Sequence, residues 1–247
     1  MNGLPRTAIV LAAGLGTRMR PITDHTPKPL VEVAGRTLID RALDTLVRAS
    51  VRRAVVNVHH LADQMEAHLA GRTDIDVTIS DERGQLMDSG GGVAKAAALI
   101  EDDAFLLLNS DTFWIDASGT SSLGRLAAAW NPDRMDLLLL MVPRGSTVGH
   151  TGQGDFAMDR EGGPLRWDRE GAVYGGAAIM SRRILSRTEE GPHSFRRYFD
   201  AAMEADRLCG VTLEGLWLTV GTPDAIVEAE RAILAHGAGA SSEQASR

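Results

Sequence analysis

A single cysteine, Cys209, in 247 residues leaves no intrachain disulfide framework and no thiolate-rich zinc site. Aromatic side chains make up only 4%, too few for the stacking platform on which single-stranded nucleic acid binds. Positive charge is in deficit, with 26 Lys and Arg against 33 Asp and Glu, a formal net charge of −7. The broad basic face that duplex recognition needs is therefore missing. Long apolar runs are missing too. The longest bulky one, Leu137 to Val142, is far shorter than the roughly 20 residues that cross a bilayer. Arg6 precedes the apolar Ala8 to Ala13, but that run is shorter than a signal-peptide core, and Gly14 to Arg20 stands where a cleavage region would lie. These exclusions predict a soluble, cytoplasmic protein with neither a nucleic-acid nor a membrane partner.

What is present is ordinary in proportion, 44% hydrophobic and 24% charged, with 26 glycines. The length fits one large α/β domain. Thr7 to Ala13 is a continuous apolar run, the mark of a strand buried on both faces of a parallel sheet. Leu38, Ile39, Ala42, Leu43, Leu46 and Val47 recur at helical spacing. A strand at Ala54 to Val58 follows, then a helix carrying Leu61, Met65 and Leu69, and a strand at Ile75 to Ile79. Val93 to Ile100 reads as a helix entered through three glycines, and Phe105 to Leu108 and Leu137 to Val142 as buried strands. This alternation predicts a doubly wound α/β sheet. The rhythm weakens after Pro143, with a strand at Val173 to Met180, a helix at Ser194 to Ala205 and a strand at Leu216 to Val220. Pro223 suits the first turn of a closing helix to about Ala235. A single domain is expected over 1–236, in two halves, about 1–143 and 144–236, the second ending in the closing helix. Residues 237–247 read as a disordered tail.

Behind the first strand comes Leu11-Ala12-Ala13-Gly14-Leu15-Gly16-Thr17-Arg18-Met19-Arg20-Pro21. Small residues there let backbone N–H groups approach a phosphate, and arginines can grip its oxygens in a bidentate fork. A Gly-x-Gly alone serves equally as a tight surface turn. The dinucleotide fingerprint is excluded by register, since Met19 stands where its third glycine belongs, and the Gly-Lys-Ser/Thr of a P-loop is absent. Thr26-Pro27-Lys28-Pro29-Leu30 follows, where two prolines predict a stiff, extended presentation of the Lys28 ammonium.

Together these two segments resemble the signature of the sugar-1-phosphate nucleotidyltransferases. The resemblance extends through Gly90 to Gly92, Asn109-Ser110-Asp111 and Trp217-Leu218-Thr219-Val220-Gly221-Thr222, nearly the whole chain. The short length, Ser89-Gly90-Gly91-Gly92 and Gly154-Asp155-Phe156 are most similar to the N-acetylmuramate-1-phosphate uridylyltransferase branch. The resemblance implies a Rossmann-like doubly wound mixed sheet of the glycosyltransferase-A-like kind in a single domain. It implies attack by a sugar-1-phosphate oxygen on the α-phosphorus of a nucleoside triphosphate, here UTP, with release of pyrophosphate and use of Mg²⁺. Mannose-1-phosphate guanylyltransfer and glucose-1-phosphate thymidylyltransfer are the enzymatic alternatives, and a non-catalytic nucleotide-sugar sensor is the alternative of another class.

Residue by residue, the resemblance assigns Leu11, Ala12, Ala13, Gly14, Gly16, Thr17, Arg18 and Lys28 to the nucleotide, with Asp88, Ser89 and Gly90 near base and ribose. Arg18, Lys28 and Asp111 are the expected catalytic set, with Asp111 as metal ligand; a turn-capping role is the structural alternative for Asp111. Asn109, Asp155, Tyr174 and Gly176 match the acceptor-sugar pocket. Two departures stand out. Thr219 occupies the position of the family's second metal-binding Asp, and no Glu-Lys-Pro segment lies between Gly154 and Tyr174. His59 and His60 follow a strand close enough to approach the nucleotide. Trp114, Trp130 and Trp167 read as packing or rim residues, and Cys209 as a small hydrophobe.

Overall fold

The computed structural model describes residues 3–117, 119, 121–187 and 191–245, with side chains to 237. Its first half runs β1 (Thr7–Leu11), β2 (Glu32–Val33), β3 (Arg36–Thr37), α1 (Leu38–Arg48), β4 (Arg53–Val58), α2 (Ala62–Leu69), β5 (Asp76–Asp81), α3 (Asp88–Ala97) and β6 (Ala104–Asn109). The second half runs β7 (Thr112–Asp116), α4 (Ser122–Ala129), β8 (Leu137–Val142), β9 (Thr147–Val148), β10 (Phe156–Met158), β11 (Leu165–Trp167), β12 (Val173–Ser181), α5 (Arg196–Glu204), β13 (Leu208–Thr212), β14 (Gly215–Thr219) and α6 (Pro223–Ala245).

Seven strands make one mixed sheet in the order β13-β8-β12-β6-β1-β4-β5. β1 pairs in parallel with β4 and β6, β4 with β5, and β8 with β13. β12 runs antiparallel between β6 and β8, which makes the sheet mixed as expected. The chain leaves β1 to one side through β4 and β5, then crosses back through α3 to place β6 on the other side. That reversal opens a crevice at the carboxyl ends of β1 and β6, the place where open α/β sheets bind ligands.

Both faces of the sheet are buried, as the continuous apolar runs require. Ala8 and Val10 pack with Leu43 and Leu46 of α1 and Met65 of α2, while Ile9 between them packs on Val93 and Ala96 of α3. α1 starts where Thr37 accepts the Asp40 N–H at 3.1 Å, an N-cap in front of an apolar stripe. A third, smaller cluster joins Met19, Val31, Val33, Leu38, Phe113, Leu218, Val220 and Ala229. Met19 is fully buried there. Its burial, worth roughly 1.5–3 kcal/mol, anchors the loop after β1 between its two arginines.

The elements differ from expectation in several places, and α4, the sheet-edge strand β13 and the short strands β2, β3, β9, β10 and β11 were not foreseen at all. The three glycines lie inside α3, in its first two turns, rather than before it. β7 was not foreseen; it pairs with β14, which also pairs with β9. The closing helix, expected to stop near Ala235, continues to Ala245 through a segment read as disordered tail. Ala, Ser, Glu and Gln can extend a helix even where glycines weaken it. Residues 246–247 lie outside the described residues. Among the described residues no helix is long and apolar enough to cross a membrane.

Candidate active site

The crevice above β1 and β6 is a cavity of about 370 Å³. Leu11, Ala12, Ala13, Gly14, Gly16, Thr17, Arg18 and Lys28 line one side of it, and Asn109, Ser110, Asp111 and Gly221 another. The sequence-predicted phosphate loop and the Asp111 strand end therefore meet. Gly16 has φ +63°, and a Cβ there would stand 2.9 Å from Thr23 Cγ2, so glycine is required on two grounds. The Thr23 hydroxyl donates to the Gly16 carbonyl at 2.8 Å and fixes the turn. Arg18 is exposed on the cavity wall, with its guanidinium beside Gly221. Arg20 pairs with Asp24 at 3.1 Å and does not line the cavity, so of the loop's two arginines only Arg18 faces it.

Lys28 Nζ lies 2.6 Å from Asp111 Oδ2. The lysine side chain is only 12% exposed, which holds the ammonium in place. Pro27 is extended, but Lys28 itself opens a 3-10 turn to Leu30 with Pro29 buried inside it. The stiff presentation holds, by a turn rather than by an extended segment.

Two polar residues of this cavity went unnoticed in the sequence. Asn57 Oδ1 accepts the Ala12 N–H at 2.6 Å, and its amide donates to Glu82 Oε1 at 2.7 Å. Glu82 is fully buried, and its other oxygen accepts the Met87 N–H at 3.1 Å. This chain of hydrogen bonds ties the phosphate loop to the segment before α3. The available signal was a lone Asn inside the apolar strand Ala54 to Val58, since a polar residue buried there needs a partner. His59 bonds the Glu82 carbonyl and His60 the Thr23 carbonyl, each at 2.8 Å, so both brace loops and neither lines the cavity.

Asp88 and Ser89 line the cavity, but Gly90 does not. A Cβ on Gly90 would stand 2.5 Å from His193 Cδ2 and 2.8 Å from the His193 carbonyl oxygen. On Gly91 it would stand 2.5 Å from the Gly191 carbonyl oxygen, and on Gly92 2.8 Å from Asn57 and Glu82. The triple glycine is a packing device that lets α3 touch backbone on one side and the buried polar pair on the other.

A second cavity, of about 320 Å³, shares Leu11, Ser89 and Asn109 with the first. Asp155 and Tyr174 line it, and Asp155 Oδ2 accepts the Tyr174 N–H at 2.9 Å. The Tyr174 hydroxyl is buried and without a hydrogen-bond partner among the described residues. Burial pushes its pKa up, so it stays a protonated phenol. Gly176 does not line the cavity. At φ +76° it passes so close to Thr112 that a Cβ would lie 2.2 Å from Thr112 Oγ1, and it shapes the wall from behind. Trp167 stands at the rim of this cavity, whereas Trp114 and Trp130 are buried. Cys209 is buried, and desolvation raises its thiol pKa.

Among the described residues no group of three or more His, Cys, Asp and Glu is spaced to hold a metal ion. The donor set of the first cavity nevertheless fits a hard divalent cation that takes most of its oxygens from phosphate and water. Asp111 offers a carboxylate one-third exposed to the cavity, with no thiolate or imidazole nearby to favour a softer ion. Glu82 is occupied by Asn57 and Met87. Thr219 pairs with Thr112 across β14 and β7 and does not line the cavity, while the next residue, Val220, donates its N–H to the Asp111 carbonyl at 2.9 Å.

A glycine-rich loop and a fixed ammonium at the switch point of a doubly wound sheet define a protein built to hold phosphate-bearing ligands. The nucleotidyl transferase family model matches residues 7–143. An N-acetylmuramate alpha-1-phosphate uridylyltransferase from Caulobacter vibrioides is 42% identical over 93% of this chain and 98% of its own length. Its namesake from Neisseria meningitidis serogroup B is 31% identical over 90% of this chain and 96% of its own. The fold is also that of a UTP-bound UGPase from Acinetobacter baumannii, at TM-score 0.75, 18% identity and 93% of each chain. The chain belongs to the nucleotidyl transferase family.

Proposed function

We propose that the protein couples UTP to N-acetylmuramate 1-phosphate, giving UDP-N-acetylmuramate and pyrophosphate, in the cytoplasm and in the service of cell-wall sugar recycling. The observation that carries this reading is full-length likeness, at 42% identity, to a uridylyltransferase of that specificity. The cavity that retains Arg18, Lys28 and Asp111 is consistent with it.

In the proposed reaction an oxygen of the sugar phosphate attacks the α-phosphorus, and the bond to the bridging oxygen of pyrophosphate breaks. The attacking oxygen is ionised at neutral pH, so no side chain needs to act as general base. The difficulty lies in bringing two anions together, and fixed positive charge is what lowers that barrier. Gly14, Gly16 and Thr17 would offer loop N–H groups to the triphosphate, and Arg18 would face the departing pyrophosphate. Lys28 would stand between the α-phosphate and the incoming sugar phosphate. Asp111 is the residue that would hold a divalent cation, Mg²⁺ by the oxygen-only chemistry of the donor set, and the ion would add positive charge at the triphosphate oxygens. Lys28 and Asp111 neutralise each other across 2.6 Å, and a metal triphosphate offers each a partner of opposite sign. Asp88 and Ser89 would meet base and ribose, and Asn109, Asp155 and Tyr174 the acceptor sugar.

Pyrophosphate release measured with each nucleoside triphosphate against a panel of sugar 1-phosphates, with Mg²⁺ and with EDTA, tests this reading. Turnover with UTP and N-acetylmuramate 1-phosphate that EDTA abolishes is expected. Turnover confined to GTP and mannose 1-phosphate would overturn the substrate assignment. Nucleotide-sugar binding without turnover by any pair would make the protein a sensor.

A further inference from the structure

We infer that Arg196 selects an acceptor sugar that carries a carboxylate; this rests on the reading that the second cavity takes the sugar. The walls of that cavity are largely apolar, with Leu107, Phe195, Trp167 and Phe199. Of its two charged lining residues, Asp155 already accepts the Tyr174 N–H, and Arg196 is the sole cation.

The guanidinium is held rather than free. Its carbon lies 4.3 Å from the centre of the Trp167 ring. The Trp167 indole N–H donates to Asp200 Oδ1 at 2.9 Å, and Asp200 Oδ2 lies 3.7 Å from Arg196 Nε. Trp167 in turn stacks on the buried Phe156 at 4.4 Å, so the platform is anchored to the core. One edge of the guanidinium is thus engaged, while neither terminal amino group has a partner among the described residues. Two parallel N–H groups on a stacked, planar cation match a carboxylate in bidentate geometry.

The 1-phosphate of the acceptor belongs at the first cavity, beside Lys28, because that is where the reacting atoms must be. A cation at the rim of the second cavity therefore addresses a second negative charge on the acceptor. N-acetylmuramate carries one, in a lactyl ether ending in a carboxylate, and N-acetylglucosamine does not. The Tyr174 hydroxyl, buried without a partner beside the same cavity, offers one neutral hydrogen bond to the sugar and reads no charge.

The test compares kcat/KM for N-acetylmuramate 1-phosphate, its methyl ester and N-acetylglucosamine 1-phosphate in wild type, Arg196→Ala and Arg196→Lys. A neutral acceptor that turns over too slowly is scored by its inhibition constant. Arg196→Ala is expected to lower the preference for the carboxylate over the neutral acceptors about 10- to 50-fold, with KM for UTP unchanged. Arg196→Lys should keep part of the preference, since it retains charge without the fork. Esterification should cost the wild type the same factor and cost Arg196→Ala almost nothing, a comparison that does not depend on how well the variant folds. A preference untouched by Arg196→Ala, or an equal loss with all three acceptors, would overturn the inference. A wild type that couples UTP to none of them would instead overturn the function it rests on.

Discussion

Lys28 concentrates the electrostatic argument in one side chain. Its ammonium is 12% exposed, it is seated by a turn between two prolines, and it touches the carboxylate proposed to hold the cation. A charge fixed in advance needs no reorganisation when negative charge develops beside it, which is the condition for a large effect on the barrier. Lys28→Ala should therefore lower kcat about 10²- to 10³-fold while changing KM for UTP much less, as steady-state pyrophosphate release will read. Arg18→Ala should move the same parameters in the same direction with a smaller effect, because Arg18 is solvent-exposed. Thr219 is the other informative residue. It brings a hydroxyl to a strand end whose neighbour bonds the Asp111 backbone. Thr219→Asp should lower the half-saturating Mg²⁺ concentration about tenfold by adding a negative charge close behind Asp111. A Mg²⁺ titration of activity, and Mn²⁺ binding followed by electron paramagnetic resonance, would both read that change. An unchanged titration would count against Asp111 as the centre of the metal site.

Among the elements, α3 and α1 show what was legible and what was not. Strands β1, β4, β6 and β8 could be read from their continuous apolar runs because burial on both faces removes any alternation. Helix α1 was legible because its apolar residues keep one stripe. The glycines of α3 were legible as a motif but not as packing, since a Cβ on Gly90 or Gly91 would strike a loop about 100 residues away in sequence and one on Gly92 would strike Asn57 and Glu82. That loop carries Ser194 and Phe195 of the second cavity. Gly90→Ala should accordingly cost roughly 1–3 kcal/mol in stability and raise KM for the acceptor more than for UTP, measured by denaturation and steady-state kinetics. The Asn57–Glu82 pair escaped notice for a related reason: neither residue belongs to a motif, and only the fold brings them together. At α1, burial raises the Asp40 carboxyl, but the Thr37 hydroxyl, His68 and the Arg72 guanidinium outweigh it and hold the pKa below the usual carboxylate range. Its contribution is thus fully present above about pH 4 and is lost as pH falls through the lowered native value. Asp40→Asn should cost about 1–3 kcal/mol at neutral pH, with a flatter fall in stability below pH 4.

The molecule as a whole is acidic, with a formal charge of −7, yet the proposed reaction needs it to hold anions. The two facts are compatible because exposed charges more than about 10 Å apart are largely screened at ordinary ionic strength, so Lys28 and Arg18 set the potential where the phosphates would lie. The mixed sheet places the two cavities side by side. Parallel β1 and β6 end at the first, while antiparallel β12 carries Tyr174 to the second, and Leu11, Ser89 and Asn109 are common to both. That shared wall is where an acceptor phosphate and an α-phosphorus would meet. The most direct test of this account is to supply N-acetylmuramate 1-phosphate with ¹⁸O in its phosphate, together with UTP, and to follow the label by mass spectrometry. Attack by the acceptor phosphate on the α-phosphorus predicts that all the label appears in UDP-N-acetylmuramate and none in pyrophosphate. Label in pyrophosphate, or no labelled nucleotide sugar at all, would contradict it.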